Sequence, residues 1–257
     1  MTRDKLMDAL IKKLNWLFRY YDCEEKKFIA LGTYEADLAA MAVFDICRRH
    51  IQVVMHCMKE NPLLFPACTC ARAAMESSVK AAWFAFPDEP MEREARFLLH
   101  LLEEEKALAQ IAKIIPGYAK DAEQIRGFRL AVEAKLPSSV IRPKRMPTFE
   151  EMLNERGWEG AYAIYKKLCQ FTHAGTHAVR ILHGGSLGTM KQIGSEPSSY
   201  DWFFPIFTVF QCFFGPSQAL IDRYNRVGAE GISNQFKEDV LALMAQLSPK
   251  TLNSEFI

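Results

Sequence analysis

Leucines recur every three to four residues from the start of the chain, and Leu6, Leu10, Leu14 and Leu17 line one face of a helix that Thr2 can cap. The same period returns along most of the sequence, and strand-like alternation is almost absent. Prolines and glycines punctuate it. Thr33 can cap a second helix running to Asn61-Pro62, where the residue before proline disfavours helical backbone. Pro66 suits the first turn of a third helix ending near Pro87, and Asp88 with Pro90 starts a fourth that reaches Pro116-Gly117. A fifth spans Tyr118 to Lys135. Thr148 and Glu151 form a capping box for a short sixth helix closed by Gly157. The seventh runs from Gly160 to His183 and stops at Gly184-Gly185. An eighth element, 199–226, breaks at Pro205 and again at Gly215-Pro216, and Ser233 caps a ninth. The pattern predicts an all-α protein: an up-and-down helical bundle of about nine helices in one domain, 1–257, with its core over about 34–226. The stretch 136–147, with three prolines and the run Arg142-Pro-Lys-Arg145, is its weakest point.

The third helix, 66–86, is rich in small side chains: Ala67, Cys68, Cys70, Ala71, Ala73 and Ala74, then Ala81, Ala82 and Ala85. Small residues let neighbouring helices approach closely, which places this helix inside the bundle. It nevertheless carries Arg72, Glu76 and Lys80, four residues apart and therefore on one face. Buried charges are costly unless paired. An Arg72–Glu76 pair that fixes helix packing, a solvated face and a functional site all fit this arrangement.

On the seventh helix, Ile164, Leu168, Phe171, Gly175, Ala178 and Leu182 form one stripe, and Tyr162, Lys166, Cys169, His173, His177 and Arg180 the opposite one. The first must face the core; the second is solvated or lines a cleft. His173 and His177 have the spacing of two ligands of one metal, with Glu76 or His183 as a third. There is no H-E-x-x-H, however, and a solvated polar face accounts for the same residues.

Composition narrows the classes. Of 257 residues, 49% are hydrophobic and 25% charged, the balance of an ordinary globular protein, and the net charge is +1. A near-neutral chain gives no general reason to expect nucleic acid or an acidic membrane as partner. Seven cysteines without a C-x-x-C pair fit reduced thiols in a cytoplasmic core. The start, MTRDKLMDAL, carries charge where a signal peptide needs an apolar run. Trp202 to Ile221 is uncharged and about long enough to span a bilayer, but its prolines and glutamines predict a buried, broken helix rather than a membrane segment. Its rings, Phe203 to Phe214, can form core, line an apolar pocket or bury a homodimer interface. No P-loop or dinucleotide fingerprint is present, so no cofactor is expected.

Two motifs carry a resemblance. Ala71-Arg72-Ala-Ala-Met-Glu76 is followed by Trp83-Phe84 and the turn Pro87-Asp88. Later comes Tyr165-Lys-Lys-Leu-Cys169-Gln-Phe-Thr172-His173. Together they resemble an uncharacterised bacterial all-helical family with an A-R-x-x-x-E helix and a later Y-x-x-L-S/T-x-x-x-H helix, over roughly residues 35–225. Cys169 departs from that pattern, standing where serine or threonine is expected. The resemblance implies that Arg72, Glu76 and His173 belong to one recurring site. Some such proteins are distantly similar to HEPN domains, helical bundles that include metal-independent ribonucleases. Arg49-His50-Ile-Gln-Val-Val-Met-His56 meets the loose HEPN signature, which implies RNA as a partner, His56 as acid or base and Arg49 as the group stabilising phosphorane charge. Asp45, Arg49, Gln52, His56 and Lys59 also read as the plain polar face of an amphipathic helix. Val43, Ile46, Cys47, Ile51, Val54 and Met58 then lie opposite.

The leading expectation is a site for a small-molecule ligand or protein partner between helices 66–86 and 160–183. In it Arg72 donates, Glu76 orients Arg72, and His173 changes protonation near neutral pH. Trp83, Tyr165, Thr172 and His177 shape the walls.

Overall fold

The computed structural model describes residues 1–28, 34–140, 143–173, 175, 178–179, 197–225 and 231–247. Among these residues there are nine α-helices and no strand: α1 (Arg3–Glu25), α2 (Glu35–Cys57), α3 (Leu64–Ala85), α4 (Pro90–Ala112), α5 (Tyr118–Glu133), α6 (Phe149–Glu155), α7 (Gly160–Thr172), α8 (Phe203–Tyr224) and α9 (Asn234–Met244). The chain is an all-α helical bundle.

Helix α3 is its hub, with α2, α4, α6, α7 and α8 packed against it. The small residues explain this. Ala67, Cys68, Ala71, Ala74, Ala81, Ala82 and Ala85 are all buried, so neighbouring backbones come close on several sides. The α1 leucines are buried as their spacing demands, and each contributes about 1.5–3 kcal/mol relative to exposure. On α7 the predicted inner stripe is inward: Ile164, Leu168 and Phe171 are buried, as is Ala178 beyond the helix. A smaller apolar cluster of Ala36, Phe97, Leu98, Leu101, Val132 and Leu136 lies beneath α4 and α5, and Ala39 packs against both it and the main core. Beyond that cluster the α4–α5 hairpin projects, with Ile114 and Ile115 exposed at its tip.

Several local readings hold. Thr148 Oγ1 accepts from the Glu151 amide at 3.2 Å while the Glu151 carboxylate accepts from the Thr148 amide at 2.7 Å, and Gly157 follows with φ of 69°. Ser233 caps α9. Others change. Helix α7 ends at Thr172 rather than His183, and the Gly175 amide donates back to Gln170 O at 2.7 Å. A Cβ at residue 175 would overlap the end of the Gln170 side chain, which would have to move aside. Helix α8 is continuous. Pro205 falls in its first turn, where no amide donor is needed, and Gly215-Pro216 is absorbed into a π-helical segment, Phe213–Ser217. There the Ser217 hydroxyl donates to Phe213 O at 2.6 Å. Ile46 is outward and 48% exposed rather than on the core face of α2. Thr33, Arg142, Arg180, Leu182 and the glycines at 184 and 185 lie outside the described residues. Among the described residues α8 is the helix long and apolar enough to cross a membrane, and two thirds of its apolar window is buried against the other helices.

Candidate functional site

Helices α3 and α7 lie side by side, and their ionisable groups meet. Arg72 Nη2 donates to Glu76 Oε1 at 2.8 Å, and Tyr165 Oη donates to the same oxygen at 2.7 Å. The guanidinium also lies 3.4 Å from the phenol oxygen and 5.5 Å from its ring centroid. Phe149, the first residue of α6, covers Tyr165 with ring centroids 4.2 Å apart. Burial, and then the bond to Glu76, push the Tyr165 hydroxyl up to about 12. At neutral pH it is a donor, and the trio closes on itself as a pin between two helices.

The third predicted member stands apart. His173 caps the C-terminus of α7 and is exposed, eight residues from Tyr165, or about 12 Å along the axis. Among the described residues no hydrogen bond joins its ring to the trio. Thr172 beside it is also exposed, and His177 lies outside the described residues. Trp83 does not wall this site. It is buried against α4 and α6, where its Nε1 donates to Glu155 at 3.0 Å and Arg96 stacks on its ring at 4.8 Å. Its position seven residues from Glu76 keeps it on that face of α3, but α6 passes over it there. Arg49 and His56 are exposed on α2, two turns apart. Among the described residues no cluster of three histidine, cysteine or acidic side chains can hold a metal.

Next to the trio, on the adjoining faces of the same two helices, is a cavity of about 280 Å³. Met75, Ser78 and Val79 of α3 form one wall, Ala161 and Ile164 of α7 a second, and Phe207, Gln211 and Gly215 of α8 a third. Trp158, in the turn between α6 and α7, closes one end. The π segment of α8 contributes Gly215 and Pro216 to the lining. Gly215 sits there so tightly against Trp158 that a Cβ would lie 3.2 Å from its ring. The lining is mostly apolar. Ser78 Oγ donates to Met75 O at 3.0 Å beside the Cys212 thiol, and Thr208 Oγ1 donates to Phe204 O at 2.9 Å. Gln211 keeps its amide without a partner among the described residues.

A second polar group was not predicted. Asp37 of α2 accepts a two-point contact from Arg93 of α4 at 2.7 and 3.1 Å, and a third bond from Tyr224 of α8 at 2.8 Å. Arg93 further donates to Pro87 O and Asp88 O. Beside it Glu94, 5% exposed, caps the N-terminus of α2 by accepting from the Ala36 amide at 3.0 Å. Burial pushes the Glu94 carboxyl up. The signal was present: Arg93 and Glu94 stand one turn before Phe97 and Leu98, so the apolar stripe of α4 runs through them.

Comparison with known protein families, with curated proteins and with solved structures finds no match for this chain.

Proposed function

We propose that this protein binds a small, mainly apolar molecule in the cavity between α3, α7 and α8. The observation that carries the reading is the cavity itself. It is mostly apolar, just below the roughly 300–1,000 Å³ typical of small-molecule sites, and offers few polar groups. It lies beside the place where the charged face of α3 meets Tyr165 of α7. The Arg72–Glu76–Tyr165 trio ties the two helices together beside it, and the π segment of α8 supplies Gly215 and Pro216 to its far wall. Gln211 supplies a donor and an acceptor to orient a ligand.

The test is calorimetric titration with 4-phenylbutan-1-ol, beside native mass spectrometry of the purified chain. Saturable one-to-one binding that Ala161→Phe abolishes, in a variant with an unchanged circular dichroism spectrum, is the expected result. No saturable heat and only the bare protein mass would overturn the reading.

A further inference from the structure

A second cavity, about 470 Å³, lies one step further along α3, α8 and the end of α6. Val79, Gly157-Trp158 and Gly215-Pro216 line the first; Ala82, Arg156 and Ala219 line the second. The step is about one turn of helix on α3 and on α8, or about 5 Å. Trp158 lines the first cavity and Arg156 the second, two residues apart and in contact with each other.

Arg156 is an unusual wall residue. Its guanidinium carbon lies 4.3 Å from the Phe86 ring centroid and 5.1 Å from that of Trp158, so two aromatic rings hold the group. Its Nε is buried without a partner, and no carboxylate lies within ion-pair distance of it among the described residues. The neighbouring cations are already engaged. Arg223 donates to Ala85 O, Phe86 O and Asp88, and Arg96 to Trp83 O and Glu155. Asp222, also on the wall, accepts from Gln218 at 2.7 Å. Burial and the nearby Arg223 and Arg96 disfavour the charged form of Arg156, with Glu155 and Asp222 opposing them. An anion placed here would relieve both costs.

Resting on the binding reading above, we infer that the ligand is an organic anion whose apolar body fills the first cavity and whose acidic group, carboxylate or phosphate, reaches Arg156. A planar guanidinium recognises either oxyanion by paired hydrogen bonds.

The experiment compares three matched probes by calorimetry: 4-phenylbutyrate, 4-phenylbutyl phosphate and 4-phenylbutan-1-ol. One acid should bind about tenfold or more tightly than the alcohol, the value of a charge-assisted bond. Which acid wins names the head group. Arg156→Gln should remove the preference and leave alcohol binding intact, which also shows that the variant folds. Equal affinity for acids and alcohol, or a preference that survives Arg156→Gln, overturns the inference and leaves the cavity reading standing. Failure of all three probes removes both.

Discussion

Tyr165 and Arg72 share one acceptor: both donate to Glu76 Oε1, from two different helices, at 2.7 and 2.8 Å. A salt bridge at four-residue spacing within one helix is worth only a few tenths of a kcal/mol when solvated. The phenol changes its role, because it turns an intrahelical pair into a tie between α3 and α7.

Tyr165→Phe keeps the ring against Phe149 and deletes the tie. Loss of one hydrogen bond should cost about 0.5–1.5 kcal/mol in urea denaturation. The Glu76 side chain is 39% exposed, so water takes up part of the lost partner and the effect should fall at the lower end. Glu76→Gln in the Tyr165→Phe background should then add little. Full additivity of the two changes would show that the residues are not coupled.

The buried cluster between α2, α4 and α8 should be less forgiving. Asp37→Ala leaves the Arg93 guanidinium unpaired in a site where its side chain is 7% exposed, and removing one partner of a buried pair costs about 3–5 kcal/mol. Glu94 behaves differently. Its pKa is raised by burial, so its contribution is fully present below the unfolded value near 4.5 and is lost as pH rises through the folded value. Glu94→Gln keeps an acceptor for the Ala36 amide and removes the charge. Its stability relative to the parent should therefore improve as pH rises from 4 to 7. Parallel stability curves for the two proteins over that range would contradict this assignment.

Gly215 tests the packing that shapes the cavity. A side chain there meets Trp158 at 3.2 Å, and overfilled sites cost about 1–3 kcal/mol. Gly215→Val should lower the denaturation midpoint and shift the environment of the Trp158 indole, followed by its NMR resonance. An unmoved indole signal with unchanged stability would mean that the two residues are not in contact in solution.

The fold was largely legible. Helix period, the capping box at Thr148 and Glu151, Gly157 and the small residues of α3 are local signals with local causes, and each appears where the pattern puts it. The site was legible in part. Four-residue spacing puts Arg72 beside Glu76 wherever the helix sits. The approach of Tyr165, the drift of His173 to an exposed cap and the covering of Trp83 by α6 depend on how helices pack. The apolar stripe of α4 runs through Arg93 and Glu94, but their partners lie 56 and 58 residues away, so the pairing itself was not legible.

The sequence by itself determined that the segments would be helices and, with exceptions such as Ile46 and the far end of α7, which face each would bury, because backbone preference and apolar period act over a few residues. Tertiary structure decided which polar groups would be paired and where space would be left. Those outcomes depend on distances between segments far apart in the chain. The Asp37–Arg93 contact and the gap beside Gly215 exist only once α3 has gathered α2, α4, α7 and α8 around it.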